Sequence, residues 1–194
     1  MTVWSIVLRV YLLAGLTAHK ATWELLKRRN EWPEAAKGFL PNLVLRIVKG
    51  AKIALTLGLI IQLFLPEILP ITGTPLRPRI AGIVLFTFGL LIAVLARVEL
   101  GKNWSDIELG EVRPDHRLIN RGVYRYVRHP IYAGDLTMLL GFQLALNSWL
   151  ILAIVVIAIP TVYGALREEK MLAKSVADYE AYCAQTKRFI PFVI

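Results

Sequence analysis

Cysteine is almost missing from this sequence: Cys183 is the only one in 194 residues. That excludes an intrachain disulfide, a CxxC redox pair and a cysteine-based zinc site. Three histidines without an HExxH spacing give no zinc centre either, so no metal is expected. Neither GxGxxG nor a Walker loop occurs, and strand-like and helix-like segments do not alternate, which argues against a Rossmann-type cofactor site. No GxSxG elbow marks a hydrolase nucleophile. Acidic residues are scarce beside basic ones, 14 against 23, for a net charge of +9. These cations lie between apolar blocks rather than on one soluble face. A loop bias that orients membrane helices explains them better than nucleic-acid binding does. No repeat, linker or low-complexity tract is evident. Arg9 interrupts the apolar run Val3 to Ala18 and no convincing cleavage site follows, so a signal peptide is not expected.

What the chain has in excess is apolar sequence. It is 56% hydrophobic with a mean hydropathy of +0.55, against about 45–50% apolar in soluble domains. Candidate spans are Val3 to Trp23, Leu43–Val48 continued by Ile53 to Leu65, Ile80 to Ala96, Ala133 to Leu146, and Trp149 to Tyr163. The last two, parted only by Asn147-Ser148, predict a helical hairpin, with Pro160 kinking its second arm. Leu166 to Lys187 predicts a charged, amphipathic C-terminal helix leaving the bilayer. The expected fold is all-α: an integral membrane bundle of about five transmembrane helices in one domain, residues 1–194. Residues 1–98 hold three spans, and 99–194 hold the hairpin and most of the chemistry-bearing residues. The lysine and arginine bias of the loops places the N-terminus outside and the C-terminus in the cytosol.

One stretch stands apart, Arg121 to Gly134, reading RGVYRYVRHPIYAG. That much polarity at a bilayer boundary costs several kcal/mol unless something anionic or water-filled receives it. Gly122 can turn the chain sharply. Tyr124, Tyr126 and Tyr132 suit either an adenine ring or an interfacial aromatic belt. Pro130 biases His129 away from helix and so presents its imidazole just ahead of the next span. Arg128 can clamp a carboxylate, although Arg125 and Arg128 would also suit lipid phosphates. A second cluster, Arg167-Glu168-Glu169-Lys170, directly follows the last span and falls on the same side of the membrane. It reads either as a solvated helix turn or as an anchor for ribose hydroxyls or an ammonium. His116 is a third polar candidate, and Asp135 is costly unless it faces a polar cavity.

The run HRLINRGVYRYVRHPIYAG, the apolar hairpin, REEKML, DYEAYC and the closing RFIPF together resemble the isoprenylcysteine carboxyl methyltransferase family and the related phospholipid methyltransferases. The resemblance covers Asp115 to Ile194. It implies an integral membrane methyltransferase using S-adenosylmethionine, and it makes 99–194 the catalytic region. By that resemblance His116, Leu118, Tyr126, His129, Pro130, Tyr132 and Glu168 surround the cofactor. His129 takes its methionyl carboxylate, and Glu168 or Glu169 its ribose or amino group. Arg128 and Arg167 hold the acceptor carboxylate. The partners implied are the bilayer and a lipidic or prenylated acceptor arriving from it. Competing readings are a phospholipid N-methyltransferase, an NADPH-dependent sterol or steroid reductase, and a non-enzymatic membrane scaffold.

Overall fold

The computed structural model describes residues 3–29, 42–65, 67–103 and 117–193. Among them the architecture is helical: α1 Val3–Arg29, α2 Asn42–Gln62, α3 Leu76–Leu100, α4 Pro130–Ala145, α5 Ala153–Ser175 and α6 Tyr179–Gln185, with short 3-10 turns between some of them. Two helical stretches are long and apolar enough to cross a membrane, Leu76–Leu100 and Trp149–Ser175. In α1 the apolar run is broken by Arg9 and His19-Lys20, and α2 carries Arg46, Lys49 and Lys52 in its first half. Helix α4 has 16 residues, about 24 Å at 1.5 Å per residue, which is short of a hydrocarbon core of about 30 Å.

The centre of the bundle is the α3–α4 pair. Gly82 and Gly89 of α3 face Ala145 and Met138 of α4, while Gly134 and Gly141 of α4 face Ala93 and Phe86 of α3. One index rises as the other falls, so the helices run antiparallel. Each glycine sits seven residues from its partner, two turns apart on one face. A Cβ added at Gly141 would lie 2.2 Å from the Phe86 backbone nitrogen, and one at Gly82 would lie 2.2 Å from that of Ala145. The two backbones therefore touch. In a bilayer, where apolar burial between helices drives little, such small-residue contact is what lets dispersion hold helices together. Around this seam Leu12, Leu59, Leu63, Phe86, Met138, Phe142, Ala145 and Leu146 form the main core.

Two expectations change here. The turn between α4 and α5 exists, but α4 packs mainly on α3 and meets α5 far less, because the small-residue stripe of α4 faces α3. Nor do residues from Leu166 onward start a helix of their own. Helix α5 continues through Pro160 to Ser175, since nothing after Tyr163 stops it. The break comes at Asp178, whose φ of 61° is a left-handed conformation that aspartate tolerates. The short α6 follows.

Polar residues within the apolar zone find partners. Arg9 donates to the carbonyls of Leu63 and Leu65 (2.6 Å to the latter), capping the end of α2. Gln62 and Gln143 exchange reciprocal bonds of 2.9 and 3.0 Å between α2 and α4. The α4–α5 turn is tied to the loop before α3. Asn147 Nδ2 donates to Glu67 (2.9 Å) and to the Thr72 carbonyl (2.8 Å), and Ser148 Oγ donates to the Ile68 carbonyl at 2.9 Å.

Candidate active site

The site lies at the end of the bundle opposite that turn, where α3 finishes and α4 begins. His129 is the cap of α4, with φ −121° and ψ 55°, and Pro130 occupies the first helical turn. Proline there needs no donor, and its ring keeps the preceding residue out of the helix. Residues 126–129 pair with the chain after α6. Arg128 N donates to the Lys187 carbonyl (2.8 Å), His129 N to that of Arg188 (3.0 Å), and Lys187 N to that of Tyr126 (3.1 Å). The tail thus becomes a wall of the site. Upstream, Gly122 takes φ +56°, which lets the 3-10 turn Gly122–Arg125 start against α3, where Glu99 accepts from Val123 N at 3.0 Å.

A cavity of about 670 Å³, open mouth included, is lined by Leu100, Leu118, Ile119, Tyr124, His129 and Tyr132 on one side and by Glu168, Leu172, Tyr179 and Tyr182 on the other. Arg128 and Asn103 also border it. Tyr132 donates to Glu168 Oε2 at 3.1 Å, and His129 Nδ1 lies 3.8 Å from the same oxygen. The His129 ring stacks on Tyr132, with centroids 5.5 Å apart. Glu168 and Leu172 are one turn apart on α5, so both face the same space. Tyr182 donates to the Tyr124 carbonyl at 2.7 Å, fixing α6 to the 3-10 turn. Burial pushes the Tyr124, Tyr179 and Tyr182 hydroxyls above the usual phenol range, and the Glu168 charge adds to this at Tyr124. They remain neutral donors.

Behind the cavity is a charged brace. Arg128 Nε donates to Glu169 Oε1 at 2.8 Å, and its Nη1 donates to the carbonyls of Cys183 (3.1 Å) and Thr186. Glu169 also accepts from Arg188 Nε at 3.0 Å and lies 3.3 Å from His129 Nε2. The Arg128 and Glu169 side chains are 9% and 12% exposed. Of the residues read from sequence, Leu118, Arg128, His129, Tyr132 and Glu168 meet at the cavity. Pro130 is buried beneath them. Glu169 faces the brace, and the half-exposed Tyr126 contributes its backbone carbonyl rather than its ring. Arg167 precedes Glu168 outside the lining, and His116 falls outside the described residues. Tyr124, Tyr179 and Tyr182 complete the aromatic wall. Their sequence signal was the tyrosine spacing in GVYRY and DYEAY.

Apolar helices that end in one polar, aromatic cavity place the chain among helical bundles of membrane-spanning character with a site at the helix ends. A family model described as Phospholipid methyltransferase matches residues 78–178, more than half of the 194. The chain belongs to that family. Among curated relatives, the cobalt-zinc-cadmium resistance protein CzcN of Cupriavidus metallidurans is 29% identical over 110 residues, 56% of this chain and 50% of that protein. The protein-S-isoprenylcysteine O-methyltransferase of Schizosaccharomyces pombe is 31% identical over 87 residues, 45% of this chain and 33% of its own. The chain thus spans half or less of the length of these two relatives. Its fold is similar to that of the eukaryotic intramembrane Ras methyltransferase ICMT, with a TM-score of 0.60 and 23% identity, over 96% of this chain and 68% of the other.

Proposed function

We propose that the chain is an integral membrane methyltransferase that uses S-adenosylmethionine and methylates a lipidic carboxylate, of which a prenylated cysteine is the leading candidate. One observation carries this reading: the His129-Pro130 start of α4 and Glu168 of α5 meet across a single cavity at the end of apolar helices. The residues present suit such a cofactor. Glu168 supplies an acceptor for ribose hydroxyls or an ammonium, His129 a donor for a carboxylate, and Tyr124, Tyr132, Tyr179 and Tyr182 flat faces for a purine or a sulfonium. The bound cofactor supplies a methyl group on a positively charged sulfur. Of the chain's own residues, Tyr132 holds Glu168 in place, His129 is fixed by Pro130 and by its stack on Tyr132, and the apolar wall of Leu118, Ile119, Ile131 and Leu172 excludes water. A carboxylate acceptor is already ionised at neutral pH, so the site needs alignment rather than a strong base. Five crossings, with the N-terminus outside and this site cytosolic, agree with the loop charges.

For Arg128 we propose a role other than that of an acceptor clamp. Its guanidinium is committed to Glu169 and to two backbone carbonyls, so we assign it to bracing α5 and the tail behind the cofactor. That commitment favours, as a second reading, an aminophospholipid acceptor, which requires no cationic clamp. The purified protein should bind S-adenosylhomocysteine. Transfer of radiolabelled methyl to a farnesylcysteine analogue should exceed transfer to phosphatidylethanolamine, and the reverse order would select the second reading. Binding of NADPH in place of S-adenosylhomocysteine would point to a reductase, and binding of neither to a scaffold.

A further inference from the structure

Helix α1 is packed in two different ways. Its first half lies on the main core through Leu8, Leu12, Leu13 and Leu16. Past Leu16 the chain exposes Thr17, Ala18, Lys20 and Ala21, while His19 and Trp23, four residues apart and so on one face, turn inward. His19 Nε2 lies 2.9 Å from Asp135 Oδ1 of α4. Its ring stacks on Trp23 with centroids 4.2 Å apart, and Trp23 packs on the Ala96, Tyr124 and Ile131 cluster. The Trp23 ring also faces the Arg97 guanidinium, 5.8 Å away. Asp135 follows Ile131 by four residues and Tyr132 by three. It therefore stands on the cavity-facing side of α4, one turn deeper into the apolar zone. The pair is only partly covered, with His19 and Asp135 side chains 20% and 34% exposed. An ionisable pair at this depth carries a cost that a merely packed helix would avoid.

We propose that His19 and Asp135 are positioning residues for the acceptor. Their bond holds the second half of α1 against the bundle, so that Trp23 forms the membrane-side wall past which a lipid-borne group reaches the cavity. The proposal rests on the methyltransferase reading and adds to it the residues that govern acceptor approach. The pair lies outside the cavity lining, so it should act on the acceptor rather than on the cofactor.

The test uses the full chain in phospholipid nanodiscs. Asp135→Ala is expected to raise KM for a farnesylcysteine analogue about threefold to eighteenfold, the range spanned by interhelical hydrogen bonds in membranes. Both kcat and the Kd for S-adenosylhomocysteine should stay within about twofold. His19→Phe keeps the stack on Trp23, removes the bond and should give the same shift, so it carries the test if Asp135→Ala fails to fold. The exchange His19→Asp with Asp135→His should restore KM. An unchanged KM, or a Kd for S-adenosylhomocysteine that weakens in step with KM, overturns the proposal. Spin labels at Lys27 and Lys174, in a Cys183→Ser background, supply a readout independent of activity. Their distance distribution should broaden in His19→Phe, and an unchanged distribution also overturns the proposal. If the unmodified chain neither binds S-adenosylhomocysteine nor transfers methyl, the functional reading falls, while the distance measurement still reports on the pair.

Discussion

Replacing Arg128 by alanine separates two roles that the RHP motif allows, acceptor clamp and structural brace. In the structure the guanidinium gives Glu169 a 2.8 Å charge-assisted bond and gives Nη1 bonds to the Cys183 and Thr186 carbonyls. Removing one member of a well-buried pair costs about 3–5 kcal/mol, mostly because the other charge is stranded. Here Glu169 keeps Arg188, which is 44% exposed and so admits water. The lower end, about 3 kcal/mol, is therefore appropriate. In a chain of this length that corresponds to a fall of roughly 6–12 °C in Tm. Arg128→Lys should recover less than half of the loss, because an ammonium cannot reach a carboxylate and two carbonyls as a planar fork does.

The assay is thermal unfolding in detergent with and without S-adenosylhomocysteine, together with steady-state methyl transfer. Arg128→Ala should melt early and bind S-adenosylhomocysteine more weakly, since His129 contacts the same Glu169. Arg128→Ala combined with Glu169→Ala should be less destabilised than the sum of the singles, with a coupling of about 1–3 kcal/mol. A variant that melts with the unmodified protein, binds S-adenosylhomocysteine normally and shows only a raised acceptor KM would refute the brace and restore the clamp.

Two further outcomes follow from the packing and the burial. Gly141→Ala places a methyl group 2.2 Å from the Phe86 backbone nitrogen and 2.7 Å from the Gly82 carbonyl oxygen. Neither atom can swing aside, so a loss of about 3 kcal/mol or of folded protein is expected, read by size-exclusion monodispersity. Gly58→Ala, with open space around it, should be neutral or slightly stabilising in the same measurement. Burial raises the Tyr124 and Tyr182 hydroxyls, so the folded state holds those protons more tightly than the unfolded chain. Their contribution is complete below the unfolded phenol value of about 10 and is lost as pH climbs above it. Tyrosinate absorbance of these two should thus appear together with unfolding, and a titration that precedes unfolding would contradict the burial.

Apolar blocks located the helices but not all of their ends: α1 and α5 run past their apolar blocks to Arg29 and Ser175, because polar residues continue a helix once it is started. Proline before an apolar run likewise revealed the start of α4 and the non-helical backbone of His129, whose imidazole the fold buries. Chain order put the two charged clusters on one side of the membrane, and the resemblance joined them into one site. Their meeting at Glu168, Tyr132 and His129 depends on the length of α5 and on the tail crossing residues 126–129, which no local pattern encodes. The α3–α4 seam was visible in principle as glycines seven apart, Gly82 with Gly89 and Gly134 with Gly141. Hydropathy could not weigh it, since glycine adds almost nothing to an apolar sum.

Arg9 interrupts an apolar run and Asp135 is costly unless a polar group meets it, yet each has a partner from elsewhere in the chain: Arg9 the Leu63 and Leu65 carbonyls just past α2, and Asp135 the His19 imidazole of α1. A single sequence prices an intramembrane charge alone, whereas the fold prices it with its partner. Arg128 poses the opposite question: its place in a polar motif suggests a ligand contact, while its guanidinium bonds Glu169 and the tail. Beside Arg128, Asn103 and the apolar side chains, the cavity is faced by four tyrosines, one imidazole and one carboxylate. That composition suits the proposed sulfonium cofactor, and the proposed choice of acceptor then falls to groups nearer the membrane, where the His19–Asp135 pair stands.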